Sequence, residues 1–170
     1  MKGKWAAGIP PRNFAWIMRD RLAVSERPGG FGTSHRRVRR QEEIIWLRNQ
    51  GFTRVVSLLP SPHNLAAYEE EGIAHDHYPL SPNADPRVVL ADFYTDLDTS
   101  LGEGLRILVH QDELGDRVMG AMAGYLVWSG RMTPGPRAVA LVEHLVGHQM
   151  GSTGRELVVA VSAMPPRQAV

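Results

Sequence analysis

Short runs of β-branched and aliphatic residues, each closed by a turn signal and followed by helical periodicity, constrain this chain more than any other feature. Arg54-Val-Val-Ser-Leu-Leu59 is apolar along most of its length and stops at Pro60, the pattern of a strand buried on both faces. Leu105-Arg-Ile-Leu-Val109 reads the same way and is the strongest candidate for the centre of a sheet. Ile73–Leu80 gives another strand, and Phe14–Ile17 with Leu22–Ser25 a pair around a turn at Arg19–Arg21. Between them the apolar positions take helical spacing. One helix is expected from a Ser34 cap through Arg40, with Ile44, Ile45 and Leu47 recurring before Gly51 stops it. Leu65–Glu71, Arg87–Leu101, Arg117–Trp128, Arg137–Val146 and Arg155–Ala163 follow, with Val88, Leu90, Tyr94 and Leu97 close to one face of the second of these.

Strands alternating with helices predict a single α/β domain, a mostly parallel twisted sheet covered by helices on both faces. The domain is expected over residues 14–164, with residues 1–13 and 165–170 as loose tails. Trp46 and Trp128 fall in apolar helical patterns and are expected in the core. The small residues of Gly120-Ala-Met-Ala-Gly124 predict close packing of that helix on the sheet.

Composition removes several classes of function. With no Cys, the chain has no disulfide, no thiolate metal site and no cysteine nucleophile. The longest run free of charge, His and Pro is Val118–Gly130, which as a helix spans about 20 Å against roughly 30 Å of hydrocarbon core. No secretion signal follows Met1-Lys-Gly-Lys-Trp5, so a cytoplasmic protein is expected. The net charge of +1 hides an asymmetry: residues 1–40 carry ten basic and two acidic side chains, a net of +8, and residues 41–170 nine and sixteen, a net of −7. Such a split predicts either a basic arm for an acidic partner or a basic segment lying on the chain's own acidic body. Seventeen of the nineteen basic residues are Arg, the residue suited to bidentate carboxylate and phosphate contacts.

The segment that carries chemistry is Leu108-Val-His110-Gln111-Asp112-Glu113-Leu114-Gly115-Asp116-Arg117, a buried strand opening through a short loop into a helix. Such a junction favours anions, because loop amides converge and the helix N-terminus adds positive charge. His, one residue, five more and then Arg resembles the phosphate-binding loop, His-Cys-(five residues)-Arg, of the tyrosine and dual-specificity phosphatases. The likeness continues outside the loop. Glu43–Leu59, a helix, then Gly51-Phe-Thr-Arg and a strand, is similar to that family's helix-Gly-strand unit. Tyr68-Glu, Gly72-Ile and His77-Tyr-Pro79-Leu resemble its next helix and the strand leading to the general-acid loop. The resemblance runs over residues 14–160 and implies the compact dual-specificity architecture.

The departures imply a change of function. The family's nucleophilic thiolate is matched by Gln111, a neutral carboxamide that cannot form a phosphoenzyme. The general-acid position falls near Ser81–Pro82, with Asp85 three residues late. Leu114 stands where the loop Gly is usual, with Gly115 one place on, and Val118 where a Ser or Thr hydroxyl assists the leaving thiolate. A pseudophosphatase is therefore expected, a binding or regulatory module for another protein, with His110 holding the loop as a structural residue.

Weak or absent phosphate binding is expected too. Arg117 and the loop amides attract, but Asp112, Glu113 and Asp116 oppose, and a pair of like unit charges at 4 Å costs about 4 kcal/mol at an effective dielectric of 20. Asp116 is expected to cap the following helix or to fill the anion site itself. The candidate partner surfaces are Asp112, Glu113 and Asp116 and the basic run Arg36, Arg37, Arg39 and Arg40, whose other reading is a solvated turn paired to Glu42 or Glu43. Two alternatives stay open. One is a carboxylate-based hydrolase with Asp112 as nucleophile and a cation held by Asp112, Glu113 and Asp116. The other is binding of an anionic polymer such as nucleic acid by the basic N-terminal third. No cofactor or metal is expected: His75 and His77 share a strand face without a third ligand at suitable spacing, and His144 and His148 lie around Gly147 at a helix end, where a cationic or capping His is common.

Overall fold

The computed structural model describes residues 7–34 and 36–168, so Lys2 and Lys4 and the outer ends of the two expected tails lie outside the described residues. Among these, the chain forms strands β1 (Ala15–Met18), β2 (Leu22–Ser25), β3 (Arg54–Ser57), β4 (Ala74–His77) and β5 (Ile107–His110). The helices are α1 (Arg37–Asn49), α2 (Ala66–Glu70), α3 (Pro86–Gly102), α4 (Asp116–Trp128), α5 (Gly135–Val146) and α6 (Ser152–Ser162). The strands make one sheet in the order β1-β2-β5-β3-β4, antiparallel between β1 and β2 and parallel elsewhere. The expected α/β sandwich is what the chain adopts. No helix among the described residues is long and apolar enough to cross a membrane.

Strand alternation divides the core in two. Ala23, Val55 and Leu108 face one side, where Ile44 and Leu47 of α1 and Tyr68 of α2 cover them. Leu22, Val24, Val56, Ile107 and Val109 face the other, under α3, α4, α5 and α6. The most apolar segment, β5, lies between β2 and β3 and is fully buried. Trp46 and Trp128 pack against the two clusters as partly buried residues. Chain flanking the 14–164 region also touches the body: the Ile9 amide donates to Glu42 O, and the Arg167 amide to Trp128 O.

Three local expectations are corrected. The helix read from Ser34 begins at Arg37, flanked by Arg36 with no side-chain cap, and Gly32–Ser34 form a separate 3-10 turn. Strand β4 stops at His77 rather than Leu80, as suits a segment running into Pro79, which has no amide to give. The small-residue face of α4 packs on α6 rather than on the sheet. A Cβ on Gly120 would stand 2.6 Å from Gly154 O, and the Tyr94 hydroxyl donates to Ala121 O at 2.6 Å. Helix α6 itself starts three residues earlier than its sequence indicates, because the Asp116 carboxylate of α4 accepts from the amides of Gly151 (2.9 Å) and Gly154 (3.4 Å).

This contact makes a prediction. Gly120→Ala forces backbone apart at α4–α6 and should lower stability by about 1–3 kcal/mol, read as a shifted urea midpoint. An unchanged midpoint would mean the helices do not meet at Gly120.

Candidate functional site

The loop 111–115 leaves the C-terminal end of β5, beside the ends of β2 and β3, where open α/β sheets place their ligands. His110 closes the strand. It lies in register with Ser25 of β2 and Ser57 of β3 and is 2% exposed. Its Nδ1 is 3.1 Å from Gln111 O, and since a carbonyl only accepts, Nδ1 carries the proton. Nε2 then faces the buried Tyr68 hydroxyl at 3.5 Å. Burial is the main reason the imidazole is pulled down to about 4, and the same burial drives the Tyr68 phenol up. The ring is neutral at physiological pH and holds its own loop.

Gln111, in the place of the expected nucleophile, donates its carboxamide N–H to Leu58 O at 2.9 Å. The Leu58 amide donates in turn to His110 O, so the side chain adds one rung to the pairing of β3 with β5. Asp112 is exposed; its carbonyl accepts from the Arg27 amide and its carboxylate lies 3.5 Å from the Arg27 guanidinium. Glu113 is exposed. Leu114 is buried in the main core, and its carbonyl lies 2.9 Å from His148 Nε2. Gly115 has extended backbone and open space where a Cβ would go, so nothing local demands glycine there. Asp116 caps α6 rather than its own helix α4 or an anion site. Val118 is fully buried.

Arg117 has no hydrogen bond or ion pair to any described residue. It lines a cleft of about 450 Å³ between residues 80–86 and α6. Asp85, the nearest carboxylate to the general-acid position, caps α3 by accepting from the Arg87 amide at 3.0 Å, and it pairs with the Arg87 guanidinium. Those bonds hold its carboxyl below the usual range, the wrong direction for a general acid. The acidic residues of the loop thus diverge, and no three His, Asp or Glu side chains among the described residues group as metal ligands. His75 pairs with Glu69, and His77 bonds to Leu59 O.

The basic run divides. Arg36 and Arg37 are exposed, whereas Arg39 bonds to the buried Glu43 at 2.7 Å. Glu43 also accepts from the Gly29 amide at 2.6 Å, and desolvation pushes its carboxyl up. The i, i+4 spacing of Arg39 and Glu43 is visible in the sequence. The clamps on the loop are not. Arg27, Leu58 and His148 lie far from it along the chain, and only the fold brings them near.

Comparison with solved structures agrees with this architecture. A kinase associated phosphatase carrying a serine for its catalytic cysteine superposes with a TM-score of 0.73 at 18% identity, over 91% of this chain and 98% of that one. The phosphatase Tk-PTP in its active form gives 0.71 at 18%, over 88% and 96%. Human DUSP28 gives 0.67 at 14%, over 91% and 95%. This chain has the dual-specificity phosphatase fold. The sequence matches no family model and no curated protein.

Within that fold His110 has a pH signature. Its folded-state value lies below the ordinary 6.5, so unfolded chain binds the extra proton, and stability is full above about pH 7 and lost as pH falls toward 4. The difference corresponds to about 3 kcal/mol. Urea unfolding from pH 7.5 to 4.5 should show a loss that His110→Asn flattens, and the His110 ring should titrate by NMR near 4. A ring midpoint near 6.5 would contradict the buried placement.

Proposed function

We propose that this chain is a catalytically inactive protein of the phosphatase fold that serves as a binding module for another protein. The observation that carries the reading is Gln111, whose carboxamide is spent on Leu58 O at the position from which a thiolate would attack. Three further positions support it. Leu114 and Val118 are committed to the core, and Asp85 to a helix cap. The carboxylate-based reading draws no support from the loop: Asp112 faces Arg27, Asp116 faces α6, and a cation bridging them would have to break both arrangements.

Phosphate binding at the loop is weak in this reading, because the one guanidinium of the motif lines a cleft that also holds Glu156. Of the candidate partner residues, Arg36, Arg37, Asp112 and Glu113 are the exposed ones, while Arg39 and Asp116 are engaged within the chain. A partner is therefore expected on the rim formed by Asp112 and Glu113 or at the first turn of α1.

The test is turnover of 4-nitrophenyl phosphate by metal-free protein, with and without added Mg²⁺ and vanadate. Buffer rate is expected in every arm. A vanadate-sensitive rate above buffer that disappears in Gln111→Ala or Arg117→Ala would overturn the proposal.

A further inference from the structure

The 450 Å³ cleft beside the loop falls within the size range of small-molecule sites. Its charged groups are Arg117 and Glu156, and neither makes a hydrogen bond or ion pair with the other or with any described residue. The residue next to Glu156, Arg155, is by contrast paired with Glu143 of α5. The same cleft is lined by the apolar side chains of Leu80, Pro82 and Leu157. A phosphate dianion would gain from Arg117 and lose to Glu156, whereas a ligand carrying both signs gains from each.

We propose that this cleft binds a small zwitterion, an aliphatic amino acid or dipeptide. Its carboxylate sits on the Arg117 guanidinium in the bidentate manner that Arg favours. Its ammonium faces Glu156, and its aliphatic side chain lies on Leu80, Pro82 and Leu157. Asp116, the neighbouring carboxylate, does not compete for the ammonium, because the amides of Gly151 and Gly154 already hold it. The inference stands apart from the binding-module reading and holds whether or not a protein partner exists.

Calorimetry on the full chain tests it with L-leucine and L-leucyl-L-leucine as probes, which separate the free amino acid from the dipeptide. The controls are 4-methylpentanoate, lacking the ammonium, isopentylamine, lacking the carboxylate, and inorganic phosphate. One of the two zwitterions should bind saturably, and each single-charge control should bind at least about tenfold more weakly, the loss of one charge-assisted contact. Arg117→Gln and Glu156→Gln should each cause a similar loss, with the urea midpoint unchanged as the control for folding. The proposal is overturned if neither zwitterion saturates, if 4-methylpentanoate binds as well as leucine, or if phosphate binds more tightly than both.

Discussion

One carboxylate joins the start of α4 to the start of α6, and the shape of the loop before it follows from that joint. Asp116 brings a negative charge to the α6 N-terminus, where two backbone amides lack partners of their own, and it takes both. The approach is possible because the helices meet glycine to glycine; a side chain on Gly120 would strike Gly154 O, and one on Gly154 would strike Asp116 O at 2.7 Å. Once α6 is anchored there, the short connection from α5 passes close to the loop. His148, on that connection, can then reach Leu114 O. A residue that would repel an anion if it faced the loop is turned into the pin that fixes the loop's far side.

An active site of this fold holds groups in readiness, at a cost in stability that function repays. Most side chains of the segment 111–118 here make structural contacts. Gln111 closes a hydrogen bond to the backbone, Leu114 and Val118 fill the core, and Asp112 sits by Arg27. These contacts are compatible with one another because they engage different neighbours: β3, α5–α6 and the segment after β2. Arg117 is the exception among the signature residues. It is a long, always charged side chain with no partner among the described residues, open to a ligand in the cleft it lines.

The sheet was legible because its strands are short apolar runs with clear stops, and β5 most of all, being buried on both faces. The place of the loop between β5 and α4 was legible for the same reason. Local signals failed where a distant residue decided the outcome. Ser34 has the chemistry of a cap, yet α1 begins after Arg36 without one. The carboxylate that accepts from the amides at the start of α6 comes from thirty-five residues before Gly151, out of reach of any local signal. The small residues of α4 correctly signalled a close neighbour, but sequence alone could not distinguish a helix from a sheet on the other side of the contact. Arg39 and Glu43 were readable as a pair by helical spacing. Arg27 with Asp112 and Gln111 with Leu58 were not, since those contacts exist only once the parallel strands are in register.

The charge asymmetry can now be placed. Part of the basic N-terminal third lies on the chain's own body: Arg27 on Asp112, Arg39 on the buried Glu43, and Arg21 on the Leu101 carbonyl near the end of α3. Of these, Arg27 ties the segment between β2 and α1 to the loop, whereas Arg39 pairs within α1 and Arg21 reaches the end of α3 from the turn before β2. In the described part of this third Arg12, Arg19, Arg36 and Arg37 are exposed, the last two beside the exposed Val38 at the first turn of α1. Two exposed guanidiniums ahead of an exposed apolar side chain give this turn a mixed surface chemistry. On this face, as in the cleft beside the loop, charge and apolar area lie side by side.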